Sequence, residues 1–151
     1  MKIRVAINGF GRIGRNLFRL LLNHPSIQVV AINDIADKKT MAHLTKYDSI
    51  HGVLPFSVSS DEKGIIVDGK TYLFFHEKEI SNLDWKALDI DFVIESTGKY
   101  KTFEEINKHI LAGAKKVILS APSEVDEIKT VVIGVNDSIL DGSETIISNA
   151  S

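Results

Sequence analysis

The sequence predicts an α/β fold in which helices cover both faces of one doubly wound, mostly parallel sheet that carries a small antiparallel annex. Three observations support it: short apolar, β-branched runs alternate with amphipathic segments, a glycine-rich turn joins the first pair, and several strand-like runs crowd the middle of the chain. With 151 residues, 44% hydrophobic and 25% charged, the composition is that of an ordinary globular domain. Residues 1–151 are therefore expected to form a single domain.

The first strand-helix-strand unit ends near residue 34. Residues 3–7 form an apolar run that predicts a strand, and from Arg12 onward apolar residues recur at helical spacing. The run His24-Pro25-Ser26 stops this helix, and residues 27–32 supply a second apolar strand. A right-handed crossover between two parallel strands is expected.

The middle of the chain predicts a helix followed by the annex. Residues 37–47 have a helical pattern, and residues 53–59, 64–67 and 71–75 read as short strands. Asp68-Gly69 between the last two is typical of a tight hairpin turn.

The second wound half begins with a buried-strand pattern at residues 91–95. Thr102 and Glu105 stand at capping-box spacing and predict the start of a helix over 102–112. Residues 116–120, 130–135 and 145–148 are three further strand candidates.

A dinucleotide-binding fingerprint connects the first strand to the first helix. It reads Asn8-Gly9-Phe10-Gly11-Arg12-Ile13-Gly14, and an acidic residue, Asp34, follows the last glycine by 20 positions. Gly9 is expected to form the tight turn, Gly11 to let a pyrophosphate approach the backbone, and Gly14 to let helix and strand pack closely. The amides at the helix N-terminus would hold the anion. This context predicts a Rossmann-type fold.

Asp34 is placed to accept hydrogen bonds from the adenosine ribose, although a strand-end turn residue is the alternative interpretation. Its charge also bears on the choice of cofactor. A carboxylate about 4 Å from a 2'-phosphate, at an effective dielectric near 20, would cost on the order of 4 kcal/mol. NAD is therefore expected in preference to NADP.

Two further polar segments follow predicted strands. Ser96-Thr97-Gly98 and Ser120 stand where the carboxyl ends of parallel strands line a ligand crevice, but turns need the same residue types. Lys78 could reach a nucleotide edge or belong to a solvated charge run. A serine hydrolase is excluded at Ser96, because Ile94 replaces the first glycine of the nucleophile elbow.

The net charge and the spacing of the histidines limit the classes of partner that we expect. Eighteen basic and 20 acidic residues give a net charge of -2, which provides no electrostatic reason to expect nucleic acid or a membrane surface. The five histidines show no metal-ligand spacing, so no metal is expected. No run has the length of a signal peptide or a transmembrane span, which favours the cytoplasm.

Together these motifs resemble the phosphorylating glyceraldehyde-3-phosphate dehydrogenases. Seven blocks carry the resemblance in order along the chain: residues 8–15 (NGFGRIGR), 46–52 (KYDSIHG), 95–98 (ESTG), 113–118 (GAKKVI), 120–122 (SAP), 134–136 (GVN) and 147–151 (ISNAS). The resemblance implies NAD-dependent conversion of D-glyceraldehyde 3-phosphate and phosphate to 1,3-bisphosphoglycerate in glycolysis. It also implies a homotetramer.

The resemblance further implies roles for individual residues. Arg12 and Ile13 would offer backbone contacts to the pyrophosphate, Asp34 would hold the adenosine ribose, and Thr97 and Ser120 would face the nicotinamide. Lys78 corresponds to a basic residue beside the adenine, but here it is flanked by Glu77 and Glu79 and lacks the usual aspartate-proline after it.

In that family the catalytic cysteine follows the Ser-Asn-Ala-Ser run directly, so Ser151 would border the substrate. No catalytic residue is then expected in these residues, and the substrate domain would be absent. The chain is expected to bind NAD without turnover.

Two alternatives remain open at the level of sequence. Erythrose-4-phosphate dehydrogenases share most of these blocks and differ in substrate contacts. A free-standing module that senses NAD and presents a surface to a partner could use the same fold.

Overall fold

The computed structural model describes residues 2–120, 128–131 and 142–149. A nine-stranded sheet dominates it, with the order β10-β11-β9-β8-β1-β2-β7-β6-β5. These strands are β1 (Ile3–Asn8), β2 (Ile27–Asn33), β5 (Val58–Ser60), β6 (Gly64–Val67), β7 (Lys70–Phe75), β8 (Phe92–Glu95), β9 (Lys116–Leu119), β10 (Lys129–Thr130) and β11 (Ile146–Ser148). The helices are α1 (Arg12–Leu21), α2 (Lys38–Lys46) and α3 (Phe103–Leu111).

The chain winds outward from β1 in two directions. β1 pairs in parallel with β2 on one side and with β8 on the other. β8 in turn pairs in parallel with β9, the strand that follows α3. The doubly wound arrangement is thus confirmed, and the switch point, where ligands bind in such sheets, lies between β1 and β8.

Two hydrophobic clusters occupy opposite faces of the sheet. Neighbouring residues of one strand point to opposite faces, and Ala6 packs in one cluster while Ile7 packs in the other. Phe18 of α1 belongs to the cluster of Ile7, and Ile106 of α3 belongs to that of Ala6. Both faces are therefore covered by helices, as predicted.

The antiparallel annex extends the main sheet instead of standing apart from it. β5, β6 and β7 pair antiparallel, while β7 also pairs in parallel with β2. The predicted hairpin turn is confirmed, since Asp68 and Gly69 have positive φ values of 51° and 80°.

The single strand predicted over residues 53–59 is wrong. A two-stranded sheet pairs β3 (Tyr47–Asp48) with β4 (Gly52–Val53), and the chain resumes strand structure only at Val58. Pro55 lies between them and has no N–H to donate to a ladder. The Lys46 ammonium instead donates to the carbonyls of Leu54 and Phe56, at 2.8 and 2.6 Å.

The predicted first residues of α2 and α3 agree with the N-caps in the structure. Asp37 accepts a hydrogen bond from the Thr40 amide at the start of α2, and Thr102 and Glu105 form the predicted capping box of α3. Across the described ranges, no helix is long and apolar enough to cross a membrane.

Candidate cofactor site

A cleft of about 270 Å³ lies at the switch point of the sheet. Its walls come from the carboxyl ends of β1, β2 and β8 and from the segments that follow β7 and β8. The lining residues are Asn8, Gly9, Gly11, Asn33, Asp34, Ile35, Glu77, Lys78, Ser96, Thr97, Lys99 and Tyr100. Seven of the thirteen cofactor residues predicted from the sequence are among them.

The glycine-rich loop sits tightly on the segment after β8. Gly9 has a φ of +97°, and a Cβ built on it would stand 2.5 Å from the backbone nitrogen of Thr97. The Ser96 hydroxyl donates to the Gly9 carbonyl at 2.6 Å and fixes the loop from the other side. A side chain at position 9 therefore has neither the space nor the backbone conformation it needs.

Gly11 and Gly14 differ in what surrounds them. A Cβ on Gly14 would overlap the Gly9 carbonyl oxygen, so helix α1 packs directly on the loop. A Cβ on Gly11 would meet nothing within 4 Å. The protein's own packing therefore does not require glycine at position 11, and the open space above it faces the cleft.

Asp34 is held in place by two backbone amides. The Phe10 amide donates to Oδ2 at 2.6 Å, and the Ala36 amide donates to Oδ1 at 2.9 Å. Each carboxylate oxygen keeps a second lone pair, so the group can accept further hydrogen bonds from the cleft. Its position ties the end of β2 to the glycine-rich loop.

The other predicted residues lie around the cleft rather than along its walls. The side chain of Phe10 is fully buried and packs edge to face on Phe18 and Phe74, so only its backbone faces the loop. Arg12 and Ile13 begin α1 and are exposed, and Gly98 follows Thr97 with a φ of 73°.

Ser120 is not among the lining residues of the cleft. The Ser120 amide donates to the Glu95 carbonyl at 3.0 Å, which sets Ser120 beside the end of β8. Ser151 lies outside the described residues, as do residues 121–122, 134–136 and 150 of the resemblance blocks.

Five wall residues were not predicted: Asn33, Ile35, Glu77, Lys99 and Tyr100. Ile35 is 58% exposed directly after Asp34. The Tyr100 hydroxyl donates to the Lys78 carbonyl at 3.2 Å and links the two outer walls. Partial burial, followed by the charges of Glu95 and Glu79, raises the pKa of Tyr100. The exposure of Ile35 beside Asp34 is visible only in the structure, so the sequence carried no usable signal for these five residues.

A buried polar network underlies the cleft. Glu95 and His109 are both fully buried, and His109 Nε2 lies 2.8 Å from Glu95 Oε1. The same oxygen accepts from Asn8 Nδ2 at 2.6 Å, while Trp85 Nε1 donates to His109 Nδ1 at 3.0 Å. Asn8 and Thr97 connect this network to the cleft walls.

A second cavity, of about 330 Å³, opens at the opposite end of the sheet. Its lining includes Lys2, which precedes β1, His24, which precedes β2, and Lys70, which begins β7. It shares no lining residue with the cleft at the switch point, where open sheets bind ligands. The smaller cleft is therefore the better candidate for the cofactor.

Sequence comparisons agree with this geometry. The profile of one family, described as glyceraldehyde 3-phosphate dehydrogenase, NAD binding domain, matches residues 3–103. The chain is 53% identical over 150 residues to glyceraldehyde-3-phosphate dehydrogenase of Thermotoga maritima, covering 98% of the chain and 45% of that relative.

Two other relatives give the same result. The identity is 49% over 152 residues to the enzyme of Geobacillus stearothermophilus, with 100% of the chain and 45% of the relative covered. The identity is also 49%, over 149 residues, to the enzyme of Mycoplasma pneumoniae, with 99% of the chain and 44% of that relative covered. The chain spans less than half the length of these curated relatives. By these matches, the chain belongs to the glyceraldehyde-3-phosphate dehydrogenase family and carries its NAD-binding domain.

Proposed function

We propose that NAD binds in the cleft at the switch point, with its pyrophosphate over Gly11 and the first turn of α1. The observation that carries this proposal is the open space at Gly11, where a Cβ would meet no protein atom. Glycine at such a place leaves the backbone free for a ligand to approach. The unpaired amides that begin α1 offer hydrogen bonds and a favourable dipole to the phosphates.

Asp34 then receives the adenosine ribose. Its carboxylate is oriented by the amides of Phe10 and Ala36, and its remaining lone pairs accept from ribose hydroxyls. The same charge repels a 2'-phosphate, which supports NAD over NADP. The adenine ring is assigned to the space beside Ile35, Lys78 and Tyr100, because all three line the cleft.

The nicotinamide half lies toward the ends of β8 and β9, near Ser96, Thr97, Gly98 and Ser120. Thr97 is held by Glu95, whose Oε2 accepts from the Thr97 amide at 3.0 Å and from its hydroxyl at 2.6 Å. A rigid wall at this point orients the ring that accepts hydride. In this arrangement the chain's residues bind and position the cofactor, and NAD supplies the hydride acceptor.

We further propose that the chain serves a phosphorylating dehydrogenase that oxidises D-glyceraldehyde 3-phosphate to 1,3-bisphosphoglycerate. The support is the name shared by the relatives, which all exceed this chain in length. Within that enzyme Ser151 borders the phosphorylated aldehyde, and the protein forms a homotetramer in the cytoplasm. Catalytic residues are assigned to the part of such an enzyme that these 151 residues do not include.

Calorimetric titration of the folded chain with NAD tests cofactor binding, with NADP as the comparison. We expect saturable binding of NAD and at least about tenfold weaker binding of NADP, because one unfavourable charge contact is sufficient for that ratio. A folded chain that gives no heat with NAD at millimolar concentration contradicts the proposal.

The reaction is tested on the protein as its native host makes it. NADH formation is followed with phosphate and either D-glyceraldehyde 3-phosphate or erythrose 4-phosphate. Faster turnover of erythrose 4-phosphate would contradict the proposed substrate while leaving the cofactor site intact.

A further inference from the structure

Four hydrogen bonds converge on the carboxylate of Glu95, which is fully buried at the end of β8. Oε1 lies 2.6 Å from Asn8 Nδ2 and 2.8 Å from His109 Nε2. Oε2 lies 3.0 Å from the Thr97 amide nitrogen and 2.6 Å from the Thr97 hydroxyl. Each of the four neighbouring groups carries an N–H or O–H that can donate, so these surroundings suit the ionised form of the carboxylate, which accepts at both oxygens.

The donors to this carboxylate are neutral. The indole N–H of Trp85 can only donate, so His109 Nδ1, 3.0 Å away, must accept. The ring proton is then on Nε2, which donates to Glu95, and the imidazole carries no charge. The chain therefore holds an anion that is hydrogen-bonded but not neutralised by its contacts.

The side-chain amides of Asn8 and Asn33 are oriented so that Asn8 donates a hydrogen bond to Glu95. Asn33 Nδ2 donates to Asn8 Oδ1 at 2.8 Å, so the amide nitrogen of Asn8 is the end that faces Glu95. Asn33 in turn is fixed by the backbone of Glu77, which donates to its Oδ1 at 2.9 Å and accepts from its Nδ2 at 2.9 Å. The donor direction is thus set along the whole chain of hydrogen bonds.

This buried charge lies directly beneath the floor of the cleft. Asn8 and Thr97 each contact the carboxylate, and both line the cleft. An ion that is buried among neutral contacts is expensive to maintain, and ionisable groups in such surroundings cluster at functional sites. The two forms of a nicotinamide dinucleotide have nearly the same shape but differ by one positive charge on the ring.

We propose that the buried Glu95 carboxylate makes the cleft prefer the oxidised, cationic form of the dinucleotide over its reduced form. The inference rests on the proposed function, since it requires a nicotinamide dinucleotide in this cleft. Asn8, Thr97, His109 and Trp85 position the charge, and Glu95 acts through space on the ring. Attraction to the cation stabilises the oxidised form alone, because the reduced ring is neutral.

A charge acting over roughly 10 Å changes a binding ratio measurably. At that distance, attraction to a unit charge raises the affinity for the cationic form roughly fourfold at an effective dielectric constant of about 40, and roughly fifteenfold at about 20. Loss of the charge should therefore lower the ratio Kd(NADH)/Kd(NAD) by a factor in that range. A role limited to shaping the cleft would weaken both forms alike and leave the ratio unchanged.

The test measures both dissociation constants by calorimetry for the unmodified chain, for Glu95→Gln and for Glu95→Asp. Glu95→Gln keeps the length and removes the charge, so the ratio should fall about fourfold or more. Glu95→Asp shortens the side chain and keeps the charge, so the ratio should stay within about twofold of its original value. Circular dichroism establishes that each variant is folded.

The outcomes separate this inference from the proposed function. If Glu95→Gln binds both forms at the original ratio, or Glu95→Asp loses the preference, the inference is overturned while NAD binding stands. If the unmodified chain binds neither form, the proposed function fails. Should Glu95→Gln not fold, the unmodified chain still decides: binding NADH as tightly as NAD, or more tightly, overturns the inference, and tighter binding of NAD supports it.

Discussion

Alanine at Gly9 and alanine at Gly11 should have opposite consequences, although both glycines belong to the same loop. At Gly9 the added methyl group would meet the backbone of Ser96 and Thr97, with the nearest atom at 2.5 Å, and the residue has a φ of +97°. At Gly11 the methyl group would meet nothing within 4 Å. The first change should damage the fold, and the second should damage only the binding of a ligand.

The magnitude for Gly9→Ala follows from two contributions. A left-handed backbone costs a non-glycine residue about 1–2 kcal/mol. Overlap with a backbone that cannot retreat adds about 1–3 kcal/mol, so the total is about 2–5 kcal/mol. At about 2–4 °C per kcal/mol for a domain of this size, the melting temperature should fall by about 4–20 °C.

The assay combines thermal denaturation, followed by circular dichroism, with NAD titration of the same samples. Gly11→Ala should melt within about 2 °C of the unmodified chain, because open surface substitutions are close to neutral. Its affinity for NAD should fall at least about tenfold, since the methyl group occupies space assigned to the pyrophosphate.

Two results would refute this reasoning. If Gly9→Ala melts at the original temperature, the contact with the segment after β8 is not as tight as the structure indicates. If Gly11→Ala binds NAD normally, the pyrophosphate does not lie over this glycine.

Three further predictions concern single side chains. Asp34→Asn should weaken NAD binding about tenfold and raise the affinity for NADP relative to NAD at least about tenfold, measured by competition titration, because a charge-assisted acceptor and a repulsive charge are both lost. Thr102→Ala should lower the melting temperature by about 2–4 °C, because the capping box of α3 is broken; an unchanged melt would contradict that role. A hydrogen bond from the Arg4 amide, followed by one from Lys115, lowers the pKa of Asp91 in the folded protein. The contribution of the ionised carboxylate to stability is therefore complete above the ordinary aspartate pKa of about 3.9, and it is lost as the pH falls through the lower pKa of the folded state. Asp91→Asn should therefore melt a few degrees lower at neutral pH, and melts at decreasing pH should show that difference vanish; a constant difference would exclude the mechanism.

Much of the fold was predictable because its signals are local. Alternation of apolar runs and amphipathic segments gave the order of strands and helices, and the Thr102 and Glu105 spacing gave the start of α3. The prediction failed around Pro55, where an apolar stretch continues although the backbone cannot continue the ladder. Apolar pattern alone does not report where backbone hydrogen bonds stop.

The candidate cofactor site was predictable in part. The glycine-rich loop and Asp34 have fixed spacing, so sequence locates them and the cleft includes them. Tyr100 and Asn33 carry no such pattern, and only the pairing of β8 with β1 and of β1 with β2 brings their segments to one cleft. Phe10 lies within the motif, yet its side chain faces the core because the turn at Gly9 directs it there.

The sequence by itself determined the class of fold, the place of the dinucleotide loop and the family, because each depends on residue type at short, regular spacing. Tertiary structure alone decided that the Glu95 carboxyl group is buried among hydrogen-bond donors, since Asn8 lies 87 positions and His109 14 positions from it along the chain. Donors so far apart in sequence meet only when strand order and helix packing are set. The buried network under the cleft is thus a property of the folded sheet, and no local pattern encodes it.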